Sequence, residues 1–196
     1  MKIIFVRHGE SEANLAGIIN DEPNRLVALT DTGCNQAMAA AERLRSVPFV
    51  CAYASELLRA RQTAEILLRH RDLACPLHID SRLNERKSGM DGLPVERFNA
   101  LVRHDPVGTR PPAGESFLEQ MDRLRAFLDG VAATQPAGPV LAVSHENPIL
   151  AVLALSGKPV EAAARGSIPN CGWVEVNWPA HTPAGGFQTG QKSSPL

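Results

Sequence analysis

No two cysteines in this sequence stand at a metal-binding or redox-motif spacing. Cys34, Cys51, Cys75 and Cys171 are scattered without a CxxC pair, which speaks against a disulfide frame or zinc site and for small buried hydrophobes in a reducing cytoplasm. His70, His78, His104 and His181 also lack paired ligand spacing, so no metal site is expected. No apolar run is long enough to span a bilayer. The Ile3–Val6 run after Met1-Lys2 is shorter than the ~7–15 residues of a signal-peptide core. Charge of neither sign dominates: 20 Lys and Arg face 21 Asp and Glu, a net charge of -1. Neither nucleic acid nor a membrane is therefore expected as a partner. No internal repeat is present.

What remains is an ordinary globular composition, 44% apolar and 21% charged over 196 residues, enough for one substantial core. Strands alternate with helices. Ile3–Val6 reads as a buried parallel strand. Thr30 can cap a helix from Asp31 to about Ser46, with Ala37, Ala40, Ala41 and Leu44 inward. Phe49–Ser55 reads as the second strand, and Ser55 as the cap of a helix buried through Leu57, Ala60, Ala64 and Leu67. Pro76–Asp80 reads as a short third strand. Ser116-Phe117-Leu118-Glu119 is a capping box opening a long helix with Phe117, Met121, Leu124, Leu128 and Val131 as its stripe. Val140–Ser144 is another buried strand, a helix starts near Asn147-Pro148, and Trp173–Trp178 alternates like an edge strand.

This alternation predicts an α/β fold with a mostly parallel sheet covered on both faces. A single domain is expected over residues 1–178. Residues 84–114, rich in Gly, Pro and Arg with one short helix near Val95–Val102, form an irregular lid or specificity insert. The Gly, Pro, Ser and Thr composition of residues 179–196 predicts a disordered tail. Ligands of such sheets bind beyond the carboxyl ends of the strands. Arg7-His8 follows the first strand and Ser144-His145 a later one, so two distant histidines can meet on one rim. Either histidine alone would be a structural residue, and Arg7 or Arg59 alone a surface charge.

The combination is more specific. Arg7-His8-Gly9-Glu10-Ser11 with Asn14, "LTDTGCNQA" at 29–37, "SELLRARQTA" at 55–64, "LNER" at 83–86, "GES" at 114–116, "VSH" at 143–145 and "PNCG" at 169–172 occur in order. Together they resemble the histidine phosphatase superfamily, which includes cofactor-dependent phosphoglycerate mutases, and imply its three-layer α/β/α fold. They imply a metal-independent phosphoric monoester hydrolase of the histidine acid phosphatase type, without a cofactor, acting on a small phosphorylated metabolite. The resemblance makes His8 the nucleophile that becomes phosphohistidine, Glu85 the general acid and base, and His145 the second catalytic histidine. His8 must be neutral at the attacking nitrogen, so its other nitrogen should donate to a backbone carbonyl, through the Gly9 turn.

The phosphoryl oxygens need donors. Arg7 and Arg59 supply permanently charged forks, Asn14 an amide, His145 a ring N–H, and Glu146 its backbone N–H. Arg59 stands in the first turn of its helix, where the dipole also favours an anion. Gly9 permits close backbone approach, and Glu10 is an accessory group that orients neighbours. Glu146-Asn147-Pro148 departs from the Gly-Gly that follows the second histidine in many relatives, and its carboxylate must turn away or pair with a base. A mutase is the alternative and would need further cations, for which Arg86, Lys87, Arg97, Arg103 and Arg110 are candidates. A non-catalytic phosphate-sensing module is the remaining alternative. The Asn20–Leu26 loop and residues 86–112 are expected to set specificity. The oligomeric state stays open, a homodimer included.

Overall fold

The computed structural model describes residues 1–69 and 75–179. The expected tail from residue 180 onward, with His181, and His70 lie outside the described residues. Along the chain run β1 (Lys2–Arg7), α1 (Glu12–Ala16), α2 (Asp31–Arg43), β2 (Cys51–Ala54), α3 (Leu58–Leu68), β3 (Leu77–Ile79), α4 (Val95–Val102), α5 (Phe117–Ala133), β4 (Val140–Ser144), α6 (Glu146–Leu155), α7 (Val160–Ala164) and β5 (Trp173–Asn177). The sheet order is β3-β2-β4-β1-β5, parallel except for β5, which runs antiparallel to β1 along one edge. The fold is a three-layer α/β/α sandwich.

Strand periodicity explains the layers. Ile3 and Phe5 of β1 join Val140 and Ala142 of β4 in the core beneath α5 and α6, with Leu124, Phe127, Leu128 and Ile149. Ile4, Val6, Leu141 and Val143 point to the opposite face, against Ala37, Ala40, Ala60 and Ala64 of α2 and α3. Both faces are covered, which is why these strands read as unbroken apolar runs. The β1–β4 register pairs Arg7 with Ser144, and His8 N–H donates to the Ser144 carbonyl at 3.0 Å. One step beyond each strand stand His8 and His145.

Several boundaries are tighter than the sequence pattern suggests. α2 ends at Arg43, and β2 and β3 are shorter than the apolar runs containing them. Ser55 does not cap α3, whose cap residue is Leu57. Its hydroxyl accepts from Leu57 N–H at 3.2 Å but bonds Asn84 and His145 as well. α6 begins at Glu146, and Pro148, which has no N–H to donate, is tolerated in its first turn, where an N–H would find no intrahelical acceptor. The Ser116–Glu119 capping box is present, and Phe127 and Gln120 join the buried side of α5, where Met121 is only half-buried.

The 84–114 insert has α4 as its helix and the buried Arg86 as its staple. Arg86 donates to the carbonyls of Glu115 (3.1 Å), Pro106 (3.2 Å) and Thr109 (2.8 Å), and its guanidinium lies over the Phe98 ring. Backbone bonds Ile19–Leu93 and Gly92–Ile19, both 2.8 Å, and Val95–Gly17, 3.0 Å, clasp this insert to the segment after α1.

Gly9 and Gly33 set the spacing between the β1 exit and α2. A Cβ on Gly9 would overlap the Gly33 carbonyl, and one on Gly33 the Glu10 carbonyl. Gly→Ala within a helix ordinarily gains about 1 kcal/mol. Here Gly33→Ala should instead lose about 1–3 kcal/mol through overpacking, read as a lower urea midpoint. A stabilised variant would contradict the close approach.

Candidate active site

His8 leaves β1 buried, at 2% exposure. Its Nδ1 lies 2.6 Å from the Gly9 carbonyl, and Arg59 Nε donates to its Nε2 at 3.0 Å. Arginine only donates and a carbonyl only accepts, so the proton sits on Nδ1 and Nε2 holds a lone pair. Burial first, then the Arg59 and Arg7 charges, push the His8 pKa well below its ordinary value, against the pull of the Gly9 carbonyl. Arg59 is itself buried, and its pKa falls to about 10 chiefly through burial, which leaves it a cation at neutral pH. Its other two nitrogens donate to Asn20 Oδ1 (2.5 Å) and the Asn20 carbonyl (2.8 Å).

His145 caps α6 and packs edge-on against His8, ring centroids 5.0 Å apart. Its tautomer also follows from its neighbours. Asn84 Nδ2 donates to Glu56 Oε2 at 2.7 Å, and Asn84 Oδ1 accepts from Glu56 N–H at 2.9 Å. Ser55 therefore gives its single hydroxyl proton to Asn84 Oδ1, 2.9 Å away. The 2.8 Å contact between Ser55 Oγ and His145 Nε2 must then be donated by the histidine. The ring N–H expected to reach phosphate goes to Ser55, and Nδ1 is left bare, buried and without a hydrogen-bond partner. Burial, then Arg59, His8, Arg7 and Arg123, keep His145 neutral by lowering its pKa well below the usual range.

Arg7 donates to the Ile168 carbonyl at 2.5 Å, and the same nitrogen lies 3.3 Å from Glu146 Oε1. That carboxylate oxygen also accepts from Ser167 Oγ (2.7 Å) and Ile168 N–H (3.0 Å). Glu146 is thus paired, while its backbone N–H, first in α6, has no intrahelical acceptor. Asn14 commits its amide oxygen to Ser11 N–H at 3.1 Å, which leaves its NH2 to donate into the cavity. Glu85 accepts from Arg86 N–H at 2.7 Å. Burial raises its pKa against the opposing effects of that bond, Arg59 and Arg7. Gly9 N–H donates to Thr63 Oγ1 at 3.1 Å. Glu10 takes the Thr30 hydroxyl at 2.8 Å, and its N–H goes to Gln36. Glu10 does not line the cavity that His8 lines.

Arg7, His8, Asn14, Arg59, Glu85 and Glu146 line one cavity of about 320 Å³. The other proposed cations are placed differently. Arg86 reaches the cavity but is committed to three carbonyls. Lys87, Arg97, Arg103 and Arg110 do not line it, and Arg110 binds the Gly114 carbonyl and Glu119. The Arg59–Asn20 bonds and the Ser55–Asn84–Glu56 chain escaped sequence reasoning, because nothing local marks a loop asparagine as the partner of an arginine on α3. Among the described residues no group of three or more His, Cys, Asp or Glu is placed to hold a metal ion.

Residues 3–185 match the histidine phosphatase superfamily, branch 1. The probable phosphoglycerate mutase GpmB of Photorhabdus laumondii is 31% identical over 192 residues, covering 93% of this chain and 87% of the relative. The adenosylcobalamin/alpha-ribazole phosphatase of Salmonella typhimurium is 32% identical over 163 residues, covering 79% of this chain and 78% of the relative. The solved mycobacterial glucosyl-3-phosphoglycerate phosphatase in complex with VO3 superposes with a TM-score of 0.78 at 27% identity, covering 89% of this chain and 90% of that one.

Long-range proton–nitrogen spectra of histidine-labelled protein should show two neutral rings at neutral pH, His8 protonated on Nδ1 and His145 on Nε2. A His145 ring protonated on Nδ1 would contradict the Ser55–Asn84 bookkeeping.

Proposed function

The chain belongs to the histidine phosphatase superfamily, and we propose that it is a metal-independent phosphomonoesterase working through a phosphohistidine at His8. The observation that carries this reading is the lone pair on His8 Nε2, held by Arg59 in a cavity shared with Arg7 and a Glu85 carboxyl of raised pKa. The phosphoryl oxygens are bound by Arg7, Arg59, the Asn14 amide and the Glu146 N–H. Arg59 shifts from His8 Nε2 to an oxygen, which frees the lone pair. His8 Nε2 forms a bond to phosphorus as the ester P–O bond breaks, and Glu85 gives its proton to the departing alkoxide. Glu85 then takes a proton from the water that attacks phosphohistidine, so His8 is released with inorganic phosphate. His145, fully buried and absent from the cavity lining, backs His8 as a neutral ring.

Hydrolysis is favoured over a mutase because phosphoglycerate and a second phosphate need cations beyond those on the transferring phosphoryl group. Among the described residues, only Arg86 joins Arg7 and Arg59 as a cation lining the cavity, and each of its three nitrogens already donates to a backbone carbonyl. The phosphatase names of two of the similar proteins agree with this preference, and the name of the third keeps the mutase as second reading. A cytoplasmic location is part of the proposal, supported by the free thiols of Cys34, Cys51 and Cys171; among the described residues no helix is long and apolar enough to cross a membrane.

Purified protein should release phosphate from p-nitrophenyl phosphate in excess chelator, and His8→Ala should not. Conversion of 3-phosphoglycerate to 2-phosphoglycerate faster than phosphate release would establish the mutase instead.

The acid step has its own signature. Glu85 must be protonated for transfer, so kcat/KM for an alkyl ester should hold at low pH and fall as pH rises through its raised pKa. Glu85→Gln should lose ~10²–10⁴-fold on that ester, lose the falling limb, and suffer less on p-nitrophenyl phosphate, whose leaving group needs no proton. An unchanged pH profile in the variant would remove Glu85 from the acid role.

A further inference from the structure

Beyond the phosphoryl end, the cavity changes character. Ile18, Ile19, Val95, Phe98, Val102 and Leu150 form much of its wall. These side chains come from three separate stretches, and two of them are fixed to each other by the backbone clasp between residues 17–19 and 92–95. The apolar wall is therefore part of a bonded framework and not of a free loop end.

The charges around the wall are arranged against a second anion. Arg7 and Arg59 meet the phosphoryl group, and Arg86 is tied to three carbonyls. Arg25, close to the same clasp, is paired with Asp91 at 3.0 Å. Glu85 and Glu146 both line the cavity. A carboxylate on the alcohol would thus lose water against hydrocarbon, and among the described residues no lining cation beyond Arg7, Arg59 and the carbonyl-bound Arg86 is there to meet it. An uncharged apolar body would gain by the same burial. Asn99 and Asn147 add neutral amides to the lining, which suit hydroxyl or amide groups on that body.

We infer that this cavity selects phosphomonoesters of an uncharged, partly apolar alcohol, such as one carrying a ring, and discriminates against alcohols bearing a second anion. The inference rests on the phosphatase reading and adds to it the class of leaving group.

Three primary alkyl esters test it with comparable leaving-group chemistry: ethyl, phenethyl and carboxyethyl phosphate. The kcat/KM for phenethyl phosphate should exceed that for ethyl phosphate by about tenfold or more, as filling an apolar pocket does, and carboxyethyl phosphate should fall below both. Asn99→Arg, at an exposed position on the wall, should shift the carboxyethyl-to-phenethyl ratio toward the carboxylate at least several-fold. Equal rates for the three esters, a preference for carboxyethyl phosphate, or an unmoved ratio in Asn99→Arg would overturn this inference while the phosphatase reading stands. Absence of turnover on all three and on p-nitrophenyl phosphate would overturn both.

Discussion

Parallel pairing of β1 with β4, in the register that sets Arg7 beside Ser144, governs everything chemical in this structure. Because the two strands end level, His8 and His145 emerge side by side although most of the chain lies between them in sequence. The pairing is stabilised from both faces, since Ile3 and Phe5 serve one core and Ile4 and Val6 the other. A one-residue slip would exchange those faces and bury the wrong set. The rigidity of the mount is thus a property of the core and not of the site.

The second consequence is electrostatic. Arg59 is buried beside Arg7, yet its nearest partners are neutral: His8 and Asn20. Glu146 is turned onto Arg7 and the 167–168 backbone, and burial favours the protonated form of Glu85. The cavity therefore carries positive charge that a phosphoryl group would neutralise. The same field and burial hold both histidines neutral. Apart from Arg59, which has to leave His8 Nε2, the donors around the cavity are in place before an anion arrives.

How much of this could be read beforehand depends on the range of each interaction. The strands, the long α5 with its capping box, and the 95–102 helix follow from local pattern, and the Gly9 carbonyl expected to orient His8 is where it was sought. Ser55 illustrates the limit. A serine before a helix reads as a cap, but its hydroxyl answers to Asn84 and His145, partners 29 and 90 positions away. Arg86 reads as a surface or substrate cation until the carbonyls of Pro106, Thr109 and Glu115 surround it. Such roles belong to the assembled fold, because a guanidinium or hydroxyl is defined by what packs against it.

The central claim is that the lone pair on His8 Nε2 is the phosphoryl acceptor. Protein quenched in alkali during turnover of an aryl phosphate should carry a phosphoryl group on the peptide containing His8, with phosphorus NMR assigning it to Nε2. Phosphate on His145, on His8 Nδ1, or on no histidine while turnover proceeds would contradict the account.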